Sequence, residues 1–231
     1  SREKILLSFA QSFCWMTSGN WEDLPTDTKE SCQAFDISAI NNDQYAFVSH
    51  SLGSRITIDG MQRIASILGN ENLNTNAHVT NINEALKQKT IPIYMMSNQL
   101  PMLQLGRKLP EISGQKDEYC QAGGEKYSQR MLAKTPIVAF SDPNDLLSYA
   151  IPQGFVEKYL DSRLCINVTN ININIAHVFD AFGFGKIANP MEAHIGYDTD
   201  DRVIALIAKG IGNNNTANLI KDRCRWIETI D

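Results

Sequence analysis

The chain has 231 residues, 43% hydrophobic and 20% charged, a length and balance that suit one α/β domain with a sizeable core. A net charge of -5 argues against nucleic-acid binding, which needs a basic face to displace counterions. No apolar run approaches the ~18 residues needed to span a bilayer.

From the start of the chain, Ile5, Leu6, Phe9, Phe13 and Met16 fall at helical spacing over residues 1–17, and Gly19 and Asn20 end the pattern. The segment carries Ser, Gln and Cys and lacks a small-residue cleavage site, so it does not read as a secretory signal. Residues 20–43 are polar and irregular, with a short helix expected near 28–35. Tyr45, Ala46, Phe47 and Val48 then form an apolar run, expected as a fully buried strand. It leads directly into Ser49-His50-Ser51-Leu52-Gly53-Ser54. Helical spacing follows through Ile56, Met61, Ile64, Ala65 and Leu68.

Further strand–helix units come next. Residues 80–89 read as a helix and Ile91 to Met96 as a second strand. A helix is expected over 117–133, then a third strand, Ile137 to Phe140, ending at Ser141-Asp142-Pro143-Asn144-Asp145. A helix over 153–161 precedes a fourth strand from Leu164. Its continuation to Ile175 alternates Asn with Ile or Val, with a slip at Thr169-Asn170 that reads as a bulge or bend. Residues 176–197 read as a long aperiodic loop, and 200–209 as a last helix. Gly183 and Gly185 read as loop glycines within it. Apolar strands alternating with helices imply an α/β fold, a mostly parallel sheet with helices on both faces. The chain reads as a single domain: a lead-in over 1–43, a core over 44–210, and a C-terminal segment over 211–231.

The five cysteines, Cys14, Cys32, Cys120, Cys165 and Cys224, are odd in number and include no CxxC. Neither a disulfide framework nor a zinc site is indicated, and a reducing, cytoplasmic setting is mildly preferred. No metal spacing, Walker loop or dinucleotide fingerprint occurs, so no cofactor is expected.

Ser49-His50-Ser51-Leu52-Gly53 resembles the GxSxG nucleophile elbow, with Ser49 in place of the first glycine. Small residues two before and two after the serine let a strand and a helix meet in a tight, strained turn. The competing reading is that Ser49 or Ser51 caps the following helix. The strand before and the helix after are the context the elbow requires. Asp145 and His194 follow in the order Ser, Asp, His, both after strands. On these residues the chain resembles the α/β-hydrolase superfamily, on its lipase and esterase side, over most of 44–210.

The resemblance implies Ser51 as nucleophile, His194 as base, Asp145 as the acid orienting it, and the Leu52 N–H as one oxyanion donor. Asp142 is the alternative acid, unless it begins an Asx turn with Pro143. His177 is the rival base, His78 reads as solvated, and His50 as packing beside the elbow or meeting substrate. Asn98 and Gln99, after the second strand, are candidates for binding substrate or for capping the next helix. The implied function is hydrolysis of a carboxylic ester or related acyl substrate through an acyl-enzyme. The alternative is a weakly catalytic or inactive binding module of the same fold. In the family the elbow follows several earlier strands. The chain is therefore expected to lack the N-terminal strands, which an upstream segment or a second polypeptide would supply together with the second oxyanion donor.

Overall fold

The computed structural model describes residues 2–17, 36–69, 77–180, 186–211 and 228–230. In chain order the elements are α1 (Arg2–Thr17), α2 (Ile37–Asn42), β1 (Phe47–His50), α3 (Gly53–Leu68), α4 (Ala77–Leu86) and β2 (Ile93–Met96). Then come α5 (Lys116–Cys120), β3 (Thr135–Ser141), α6 (Phe155–Tyr159) and β4 (Ile166–Asn172). The chain continues through β5 (Val178–Asp180), β6 (Lys186–Ala188), α7 (Pro190–Ile195), α8 (Asp201–Lys209) and β7 (Glu228–Ile230). The short helix expected near 28–35 lies outside the described residues, as do Gly183 and Gly185.

Strands β1 to β4 pair in sequence order, all parallel, and β7 closes the β4 edge antiparallel. The class is α/β, as the alternation of elements implies. Side chains leave a strand on alternate faces, and the two faces carry separate cores. Ile93, Met95, Ile137 and Ala139 pack with Ile58, Met61 and Ile64 of α3. Tyr94, Val138 and Phe140 pack on the other face with Tyr197 and with Val203 and Leu206 of α8. Both faces are thus covered by helices. Full burial of a side chain such as Phe140, at 0% exposure, contributes on the order of 2 kcal/mol before entropy.

The slip at Thr169-Asn170 is not a bulge. β4 pairs with β3 residue by residue from Thr135↔Ile166 to Ser141↔Asn172. The apolar residues change face because cover changes along the strand: Ile166 and Val168 face the α3 side, Ile171 and Ile173 the α8 side. Asn170 is buried in between, and its amide accepts from Ile151 N–H (2.8 Å) and donates to Ile151 C=O (3.0 Å). A side-chain amide pairs with a loop as another strand's backbone would.

Four other expectations are corrected. The helix expected over 117–133 ends at Cys120, because Gly123 takes φ +93° and Gly124 lies so close to the Glu118 carbonyl that a Cβ would meet it at 2.3 Å. The aperiodic stretch 176–197 is not a long loop. It contains the antiparallel β5–β6 pair, then α7, which Asn189 caps by accepting from Met191 N–H with Pro190 in the first turn. The elbow strand is not fully buried: Val48 is 53% exposed, because α8 and Tyr197 cover β2 to β4 but not β1 on that face. Among the described residues no strand pairs with the outer edge of β1. Finally, Cys120 and Cys165 form a disulfide, and Cys14 is disulfide-bonded too, where the cysteine count and spacing indicated no disulfide framework.

No helix among the described residues is long and apolar enough to cross a membrane.

Candidate functional site

The site lies where the parallel strands end. Ser51 follows β1 in the left-handed region, φ +55°, a conformation that a non-glycine residue holds only when its surroundings compel it. Ser51 N–H donates to Met96 C=O at 2.9 Å, which holds the turn to the end of β2, and a Cβ added at Gly53 would stand 3.4 Å from the Ser49 Cβ, an ordinary van der Waals contact. Neither serine caps α3: Leu52 is the N-cap and makes no side-chain bond, and Ser49 Oγ donates to Tyr94 C=O at 3.3 Å. The Leu52 N–H has no acceptor among the described residues.

The structure brings Ser51, His194 and Asp145 together. Ser51 Oγ is 3.1 Å from His194 Nε2. His194 Nδ1 is 3.0 Å and 3.1 Å from the two carboxylate oxygens of Asp145. An ionised carboxylate only accepts, so Nδ1 carries the proton and Nε2 offers its lone pair to Ser51. Exposure falls along the relay: Ser51 is half-buried, the His194 side chain is 17% exposed, and that of Asp145 is 2%. Burial alone would push the Asp145 carboxyl up. Hydrogen bonds from Ser97, Leu147 N–H and His194 outweigh it and hold the group below its ordinary range.

The other expected residues fall elsewhere. Asp142 is not the acid. At 1% exposure it accepts from Ile175 and Ala176 N–H (2.6 and 2.9 Å) with one oxygen, and from Asn144 N–H (2.7 Å) with the other. It closes an Asx turn and pins the chain as it leaves β4. His177 is not the base; its side chain is 91% exposed and pairs with Glu192 at 2.6 Å. His78 lies on α4, with its side chain outside the described residues.

His50 packs against His194. Its Nε2–H donates to the His194 carbonyl at 2.7 Å, and its ring lies edge-on to that of His194. Asn98 is fully buried; its amide donates to Tyr149 C=O at 2.7 Å and accepts from Leu100 N–H at 3.1 Å, so it ties loops together. Gln99 is 6% exposed, and its N–H donates to Ser54 Oγ at 3.3 Å.

One residue at the site carried no motif. Ser97 follows β2 as Ser51 follows β1, takes φ +49°, and has no exposed surface. Its Oγ is 2.6 Å from Asp145 Oδ2 and 2.9 Å from His194 Nδ1. The available signal was positional, a serine directly after a buried parallel strand, one place before Asn98.

No protein-family model, curated protein or solved structure matches the chain.

Proposed function

We propose that the protein is a serine hydrolase of the α/β-hydrolase class, acting on a carboxylic ester or related acyl substrate through an acyl-enzyme. The observation that carries this reading is the contact of Ser51 Oγ with His194 Nε2 while His194 Nδ1 faces Asp145. Ser51 attacks the acyl carbonyl, and His194 takes its proton and returns it to the leaving group. Asp145 holds the imidazole and stabilises its charged form. The Leu52 N–H, at the start of α3 and without an acceptor among the described residues, suits the developing oxyanion. Water then releases the acyl group; transfer to an alcohol would use the same groups.

Exposed apolar side chains stand beside each of the three residues: Leu52 after Ser51, Leu146 after Asp145, and Met191 and Ile195 around His194. They favour an acyl chain over a charged substrate. The Cys120–Cys165 disulfide favours an oxidising compartment. The outer edge of β1 is the place for further strands, from an upstream segment or a second polypeptide, which would add the second oxyanion donor. A monomer of this chain alone with full esterase activity would overturn that part.

The test is labelling with a fluorophosphonate, which reacts readily only with an activated serine. The native protein labels at Ser51, Ser51→Ala does not, and the variant loses hydrolysis of a short p-nitrophenyl ester. A second reading, a binding module of this fold with little or no catalysis, draws on the outer edge of β1 and the lone oxyanion donor at Leu52, the edge being unpaired and the donor without a second among the described residues. On that reading the native protein stays unlabelled.

A further inference from the structure

The proposed reaction leaves Ser97 without a part, yet its hydroxyl touches both partners of Ser51. Ser97 has no exposed surface and so does not meet substrate. Glycine would hold φ +49° without strain, so the turn after β2 does not itself call for a hydroxyl. The hydroxyl has one proton. The Asp145 carboxylate, 2.6 Å away, only accepts, so that proton goes to Oδ2. Toward His194 Nδ1, at 2.9 Å, Ser97 Oγ is then left with lone pairs alone. It accepts the Nδ1 proton and repels a bare Nδ1.

We propose that Ser97 is a positioning residue, whose hydroxyl locks His194 in the tautomer that turns the Nε2 lone pair to Ser51 and holds Asp145 ionised in place. The proposal rests on the reading of Ser51 as nucleophile. Among the hydrogen bonds that lower the Asp145 carboxyl against its burial, that from Ser97 is the largest contribution.

Other charged or titratable groups near His194 and Asp145 are His50, whose Nε2–H is committed to the His194 carbonyl, and Tyr197 and Asp142 on the side of Asp145. On α7 itself, Glu192 is paired with His177. None of them takes the place of the Ser97 hydroxyl.

The experiment compares native protein with Ser97→Gly, Ser97→Ala and Ser51→Ala. Glycine deletes the hydroxyl and keeps φ; alanine deletes it and adds strain. Fluorophosphonate labelling rates are measured from pH 5 to 9, with Tm and ester kinetics. Both Ser97 variants are expected to label about tenfold more slowly, with kcat lowered and KM unchanged. Only alanine should lower Tm beyond glycine. Ser97→Gly that labels at the native rate overturns the proposal and leaves the serine-hydrolase reading standing. A slow rate in alanine but not glycine also overturns it, since strain then explains the loss. Native protein that does not label, like Ser51→Ala, overturns both. Nitrogen NMR of the native protein's histidines serves even if the variants fold poorly: in the neutral ring, His194 should carry its proton on Nδ1, and a proton on Nε2 would overturn the lock.

Discussion

His50 donates from Nε2 to the main-chain carbonyl of His194 across 2.7 Å. The residue before the proposed nucleophile thus holds the backbone of the proposed base. α7 reaches the site from 143 residues further along the chain than Ser51, and β1 is at the sheet edge, so this bond is a direct tie between the two. His50→Ala should lower kcat/KM for a short ester by about tenfold, the scale of one lost hydrogen bond, with little change in Tm. An unchanged kcat/KM would show that α7 is held without it.

The two aspartates after β3 should separate cleanly by phenotype. Asp145→Asn leaves a side chain of the same shape and should cost on the order of a thousandfold in ester hydrolysis. Asp142→Ala strands the buried N–H groups of Ile175 and Ala176 and should cost about 3 kcal/mol in urea unfolding. The reverse pattern, with rate lost at Asp142 and stability at Asp145, would exchange their roles.

Acid should destabilise the fold partly through Asp145 and Asp200. Both are held below the ordinary carboxyl range. For each, burial opposes ionisation, and hydrogen bonds outweigh it: from Ser97, Leu147 and His194 at Asp145, and from Arg202 at Asp200. A carboxyl depressed in the folded state contributes stability above its unfolded pKa, and that stability is lost as pH falls through the folded value. Urea midpoints should therefore fall below about pH 4. Asp200→Asn should flatten the decline, and a variant with an unchanged slope would remove Asp200 from the account.

The Cys120–Cys165 bridge spans 45 residues and joins α5 to the start of β4. Closing a loop of that length constrains the unfolded chain by up to about 4 kcal/mol. The double variant Cys120→Ala, Cys165→Ala should lose roughly 2–4 kcal/mol in urea unfolding while keeping ester hydrolysis at 25 °C. This variant isolates the bridge from that of Cys14, which a reductant would also break. Equal stability with and without the bridge would mean that it adds no net constraint.

How much of this was legible depended on how local each signal is. The strand, turn and helix around Ser51 follow from neighbours in sequence: an apolar run, small residues at 49 and 53, then helical spacing. The order of Ser51, Asp145 and His194 was legible only through the resemblance to the α/β-hydrolase pattern, since the three lie far apart in the chain. α7 was missed, although Asn189-Pro190 is a cap followed by a first-turn proline, because six residues are too few to show a period. The short β5–β6 pair was missed likewise. No disulfide framework was indicated because an odd count with no spacing motif is silent about which cysteines meet in space.

By itself, then, the sequence determined the α/β alternation and the strand, turn and helix around Ser51. These rest on backbone sterics and on apolar periodicity, which act over a few residues. Only the tertiary structure decided between Asp142 and Asp145, between His177 and His194, and whether Ser97 belonged to the site. Each pair of rivals lies in one segment with similar local chemistry, and what separates them is direction. Asp142 turns toward the backbone of 175–176 and Asp145 toward His194, an outcome fixed by the register of β3 against β4 and by α7 folding back over the strand ends.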